Sequence, residues 1–100
     1  MVDKIILPTD VVEMAAFAKA MSHPVRVYIL KKLSEMNTCC YSGDLVDELP
    51  VGRSALSQHL AVLRKDGLVK TRRESQTIYY SLSDVRASKV INTLHELYCS

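Results

Sequence analysis

Helical periodicity up to about residue 66, an alternating pattern over residues 68–82 and a return to helical periodicity from residue 84 predict a mainly α chain with one small β-hairpin. The element order is helix, helix, helix, helix, strand, strand, helix (α1-α2-α3-α4-β-β-α5). The third and fourth helices are short and joined through Pro50-Val51-Gly52, a helix-turn-helix arrangement. A hairpin directly after it makes the class a winged helix-turn-helix.

The fourth helix, from Arg53 to Lys65, is the centre of this reading. Leu56, Leu60 and Leu63 share one face at 3.6 residues per turn, the i, i+4, i+7 set of an amphipathic helix. Arg53, Ser54, Ser57, Gln58, Arg64 and Lys65 occupy much of the remaining surface. Hydroxyls and amides at the front of a helix, backed by Arg and Lys, suit the DNA major groove. Gln pairs bidentately with adenine, Arg with guanine, and Ser with a base edge or a phosphate. His59 lies near the Leu60 edge, so DNA contact and packing are both open to it. Gly67 is expected to close the helix in the left-handed conformation.

The other elements follow in order. Thr9 or Asp10 is expected to cap a first helix through Met21, apolar around most of its circumference. Ser22-His23-Pro24 breaks it, with His23 as a capping or turn residue and Pro24 at the first position of the next helix. That helix runs to about Met36, with Ile29, Leu33 and Met36 inward. Residues 37–41 read as a connection, and Ser42 caps a short helix ending at Leu49. Residues 68–73 and 77–82 form the hairpin around Glu74-Ser75-Gln76. Ser83 caps the last helix, 84 to about 98, in which Val90, Ile91, Leu94 and Leu97 make an apolar stripe. The dimerisation surface is therefore expected in 9–22 and 84–99, the helix-turn-helix in 42–66 and the wing in 68–82, all within one domain of residues 1–100.

Composition narrows the class further. Hydrophobic residues make up 48% and charged residues 24%, a globular balance. No apolar run approaches the roughly 18 residues of a membrane span, and Met1–Pro8 lacks the features of a signal peptide. The expectation is a cytoplasmic protein without a membrane partner. The three cysteines are an odd number, which favours free thiols over a disulfide framework. Net charge is +2 overall but unevenly spread. Residues 51–75 carry Arg53, Arg64, Lys65, Lys70, Arg72 and Arg73 against Asp66 and Glu74, and such clustering is the electrostatic footprint of a nucleic-acid face.

Three separated motifs in order then resemble the ArsR/SmtB winged-helix repressors: Ala18-Lys19-Ala20-Met21-Ser22-His23-Pro24-Val25-Arg26, the block from Ser57 to Val69, and the wing ending Ile78-Tyr79-Tyr80-Ser81-Leu82. The resemblance covers roughly residues 11–99. Ser54 to Leu82 and the ending Leu94-His95-Glu96-Leu97-Tyr98-Cys99 look closest to the HlyU/BigR/SqrR-like branch. The resemblance implies a homodimer that binds an imperfect inverted repeat in double-stranded operator DNA and leaves it when an effector acts. It maps DNA contacts onto Arg53, Ser54, Ser57, Gln58 and His59, with Arg64 on the same helix and Arg72, Arg73 and Gln76 from the wing.

Effector chemistry divides two ways. The family's final-helix zinc site is absent: Asp84 is present, but Arg86 stands at the first His position, and Leu97 and Ser100 stand at the distal ones. No cofactor is required. Cys39, Cys40 and Cys99 would suit arsenite or another soft metal ion, which prefers thiolates. Alternatively, oxidation or persulfide formation links Cys99 to Cys39 or Cys40. The redox branch carries its first cysteine near Lys31, where this chain has none. The third case is that Cys39 and Cys40 only pack and Cys99 is a frayed terminal thiol.

Enzyme chemistry is not indicated: there is no glycine-rich phosphate loop, no paired carboxylates in a cleft and no Cys-His pair with an orienting group. The alternatives to a repressor are an anti-silencing activator that binds DNA, and a dimeric winged helix that binds proteins only. Arg and Lys on both helix and wing favour DNA, and salt-dependent retention on heparin separates the cases.

Overall fold

The computed structural model describes residues 6–36, 40–41, 49–83 and 85–99. Its elements are α1 (Thr9–Met21), α2 (Pro24–Met36), β1 (Cys40–Tyr41), α3 (Arg53–Lys65), β2 (Val69–Glu74), β3 (Thr77–Leu82) and α4 (Val85–Cys99). The anticipated helix from Ser42 lies outside the described residues, as does the anticipated helical start at residue 84. The inward placement of Met36 falls outside the described side chains.

α1 begins earlier than its polar residues suggested. Pro8, not Thr9 or Asp10, holds the N-cap position, and no side chain caps the helix from there. With φ −56° and ψ 144°, Pro8 turns its carbonyl to accept the amides of Val11 and Val12 at 3.1 and 3.2 Å. Asp10 Oδ1 accepts the Val11 amide at 2.9 Å, an acidic group in the first turn where the helix dipole favours it. His23 does cap α2. Its Nδ1 accepts the Val25 amide at 3.1 Å and its carbonyl accepts the Val27 amide at 2.9 Å.

The core is aliphatic. Ile29, Leu30 and Leu33 of α2 are buried against Leu56, Leu60 and Leu63 of α3, with Ala20 and Met21 of α1, Leu68, Val69 and Ile91 closing around them. Leu30, which the periodicity did not single out, is fully buried. Where α2 lies against α4, the seam carries a small polar cluster. Ser34 Oγ and Ser88 Oγ are 3.2 Å apart, Ser34 Oγ donates to Asn92 Oδ1 at 3.2 Å, and Asn92 Nδ2 donates to Ser88 Oγ at 3.4 Å. Directional bonds of this kind set the register of two helices whose apolar contacts alone tolerate sliding.

Gly67 has φ +81°, and the chain leaves α3 through it. The Leu68 amide donates to the Leu63 carbonyl at 2.8 Å and the Gly67 amide to Arg64 at 3.1 Å, the paired bonds of a Schellman cap. The Leu68 carbonyl in turn accepts the Ser83 amide at 3.0 Å, so one buried residue joins the end of α3 to the approach to α4.

β2 and β3 pair antiparallel from Val69↔Leu82 to Glu74↔Thr77. The hairpin turn is thus two residues, Ser75-Gln76, one shorter than anticipated, with Ser75 at φ 55°. Residues 40 and 41 correct the reading of 37–41 as a plain connection: they form β1, pairing Cys40↔Tyr80 and Tyr41↔Tyr79. The sheet is three-stranded in the order β1-β3-β2. β3 is its centre because a strand with one free edge leaves amides and carbonyls unpaired. Two residues are too few to show an alternating period, so the sequence carried no sign of this strand.

Leu63 is 0% exposed, and truncating it leaves a void where α2, α3 and β2 meet. Leu63→Ala is expected to lower unfolding stability by about 2–5 kcal/mol, read from the midpoint of urea denaturation at fixed protein concentration.

Candidate nucleic-acid interface

Because Leu56, Leu60 and Leu63 are buried, the opposite side of α3 is committed to solvent. Arg53, Ser54, Ser57, Gln58, Arg64 and Lys65 are all exposed, and their spacing makes one stripe along the helix. Gly52, in extended backbone at φ −71° and ψ 163°, is the N-cap and offers no side-chain hydrogen bond. The front of the helix is therefore free of any capping side chain of its own. Arg64 and Lys65 lie in the last turn, where the helix dipole favours cations.

His59 sits between the two faces and is half-buried. Its ring centroid lies 4.2 Å from that of His23, the planes tilted by 47°. Burial first, then the nearby His23 and Arg26, hold its imidazolium below the ordinary 6.5. The ring thus packs on His23 while part of it still reaches solvent beside the exposed row.

The wing is basic and exposed. Lys70, Arg72, Arg73 and Gln76 all reach solvent. Arg72 is not a bare cation: it forms an ion pair with Glu74, and its guanidinium carbon stands 4.8 Å from the centre of the Tyr79 ring. Residues 72 and 74 share one face of β2, and Tyr79 is directly across from 72. The hairpin register alone therefore could have revealed the cluster; the His23–His59 contact, between residues far apart in the chain, left no such trace.

The thiols are not gathered into a described site. Cys99 is exposed at the end of α4, the Cys40 backbone pairs with Tyr80, and Cys39 lies outside the described residues. Among the described residues, no three His, Cys, Asp or Glu side chains stand together as metal ligands would, and no helix is long and apolar enough to cross a membrane.

A second surface lies on the terminal helices. Met14, Phe17, Met21, Val90 and Leu94 line a groove of about 670 Å³ between α1 and α4, with Asp10 and Glu13 on one rim and Arg86 and Lys89 on the other. Val11, Val12, Val85, Leu97 and Tyr98 are also exposed on these helices.

Comparison with known proteins agrees with this geometry. The family described as bacterial regulatory protein, arsR family, matches residues 23–71. Transcriptional activator HlyU of Vibrio cholerae is 47% identical over 81 residues, covering 81% of this chain and 73% of that protein. This chain belongs to the arsR family. The Biofilm growth-associated repressor of Xylella fastidiosa is 36% identical over 88 residues, covering 88% of this chain and 75% of the relative. The solved structure of HlyU from Vibrio cholerae superposes with a TM-score of 0.86 at 40% identity, over 94% of this chain and 100% of that one. As an arsR-family winged helix, the chain is a DNA-binding transcriptional regulator and not an enzyme.

Pairing with Glu74 partly neutralises Arg72. Glu74→Gln is expected to raise the salt concentration that elutes the protein from heparin, and Arg72→Ala to lower it. On duplex DNA each is expected to change the log-affinity against log-salt slope by up to about 0.9 for each phosphate newly engaged or released.

Proposed function

We propose that two copies of this chain, joined through α1 and α4, bind an imperfect inverted repeat in operator DNA as a repressor, and that thiol chemistry releases them. The observation that carries the DNA part is the exposed row Arg53, Ser54, Ser57 and Gln58, held outward by the buried leucines behind it. Ser57 and Gln58 read base edges. Arg53, Ser54 and Arg64 flank them on bases and phosphate, and Arg72, Arg73 and Gln76 follow the backbone from the wing, setting register and salt dependence. His59, at the edge of the row, joins it through the exposed part of its ring and packs on His23 with the rest.

The dimer reading is supported by the exposed apolar residues of both terminal helices and by the groove between them. An acidic rim on α1 and a basic rim on α4 let a two-fold partner match opposite charges while covering Met14, Val90 and Leu97. Two recognition helices are then presented to successive major grooves, about 34 Å apart or a multiple of it. Relatives named as an activator and as a repressor both match this chain, and operator occupancy serves either outcome.

For the effector, the support is the solvent access of Cys99 on the helix assigned to the dimer. A bond made there, to an arsenical shared with Cys39 and Cys40 or as an oxidised or persulfide link to one of them, changes how α4 meets its partner and so the spacing of the two α3 copies.

Two measurements check these assignments. Ser57→Ala with Gln58→Ala is expected to weaken operator binding by about 1–3 kcal/mol for each base no longer read, with the dimer intact by sedimentation; unchanged operator affinity overturns the recognition-helix assignment. Mass spectrometry after exposure to arsenite or to a persulfide donor, run beside operator-release assays, is expected to show release tracking modification of Cys99 and vanishing in Cys99→Ser. Release without any cysteine modification overturns the thiol reading.

A further inference from the structure

Where the first turn of α2 meets α3, three basic groups converge that the DNA-facing row does not use: His23, Arg26 and His59. The two imidazoles are in ring contact at 4.2 Å, and both are half-buried. Arg26 has its Nε buried without a hydrogen-bond partner among the described residues. Among the described residues, the charged groups facing His59 are His23 and Arg26, both from the start of α2. α1 and β2, which also pack on α3, add none. No carboxylate among them offsets the positive charge.

The His23 cap fixes what a proton can do here. Nδ1 accepts the Val25 amide hydrogen, so that nitrogen is unprotonated while the cap is in place and the ring's own hydrogen sits on Nε2. A further proton can go only to Nδ1, which then faces the Val25 N–H donor to donor. The same proton places an imidazolium against the His59 ring, which already feels the charge of Arg26. One event removes an N-cap bond and adds like-charge repulsion across the α2–α3 contact.

We infer that the His23–His59 contact is a proton-operated latch: neutral, it clamps the recognition helix to the capped start of α2, and acidification opens it, so that the protein loses discrimination between its operator and other DNA. Discrimination falls, rather than all binding, because the added charge still attracts phosphate while base reading needs α3 held in place. The electrostatics agree in sign. Burial and the two neighbouring basic groups keep His59 below the ordinary 6.5, so the neutral contact contributes stability that is full above that value. It is lost as pH falls through the lowered one. The consequence for DNA rests on the operator-binding reading above; the latch itself does not.

The test uses the full chain, titrated by NMR from about pH 7.5 to about pH 5.5, the range in which imidazoles change charge. Ring resonances of His23 and His59 are followed together with the backbone amides of Val25 and α3. Protonation of the rings is expected to shift the Val25 amide and to lower hydrogen-exchange protection along α3. In parallel, affinity is measured for a duplex that the protein itself selects from a random pool at the upper pH, and for a scrambled duplex of equal length. Their ratio is expected to fall about tenfold across the range, the discrimination that one base contact supplies. His23→Asn keeps a side-chain oxygen as acceptor at every pH, and combined with His59→Gln it is expected to flatten both responses. If the rings titrate while Val25 and α3 stay unmoved, the latch is overturned, whatever the DNA does. A fall in the ratio that persists in the double variant overturns its link to specificity. Should no duplex be selected at all, the operator reading fails and the amide data alone judge the latch. Should the double variant not fold, the wild-type amides and His59→Gln decide.

Discussion

Three leucines hold the polar face of α3 in place. Leu56, Leu60 and Leu63 are buried among Ile29, Leu30 and Leu33, each such side chain contributing about 1.5–3 kcal/mol on leaving water. A helix rotated by one residue, roughly 100°, would bring Ser57 and Arg64 into an aliphatic core where neither has a partner. That cost, larger than any gain on the far side, keeps the polar stripe outward. The face that α3 turns to solvent is thus decided by what lies behind it.

Around this anchor the polar structure is sparse and local. The Schellman cap at Gly67 ends α3 and turns the chain directly into β2, so helix and wing are separated by only three residues. Pairing with β3, and of β3 with β1, gives the wing a support that a free two-stranded ribbon lacks. Glu74 and Tyr79 hold Arg72 in a defined place. The wing cation is therefore partly ordered by its own neighbours, which lowers the side-chain entropy that any further contact would cost.

What could be read from the chain alone followed from period and from special residues. The leucine repeat gave α3 and its buried face, Gly67 gave the cap, and alternation gave the hairpin to within one residue of its turn. Pro24 gave the start of α2. The failures have physical reasons. Pro8 capped α1 through its carbonyl, a group every residue has, so the polar side chains of Thr9 and Asp10 were misleading. β1 was too short to display a period. The His23–His59 contact and the Ser34–Ser88–Asn92 cluster are tertiary, set by how helices dock, and no local pattern encodes them. Of the candidate site, the exposure of Arg53, Ser54, Ser57 and Gln58 was legible for the same reason as the core, since one stripe implies the other. The surroundings of His59 were not.

Leu68 has a consequence beyond capping. Its amide is bonded to the last turn of α3, its carbonyl to the residue leading toward α4, and its side chain is 2% exposed. Such a residue acts as a fulcrum. From Ser83 to α3 the path has no slack, because Leu68 is bonded on both sides and buried from within. Torque arriving at Ser83 therefore has a short, stiff route to α3, and a small rotation there is converted into displacement of the side chains that lie furthest from the pivot.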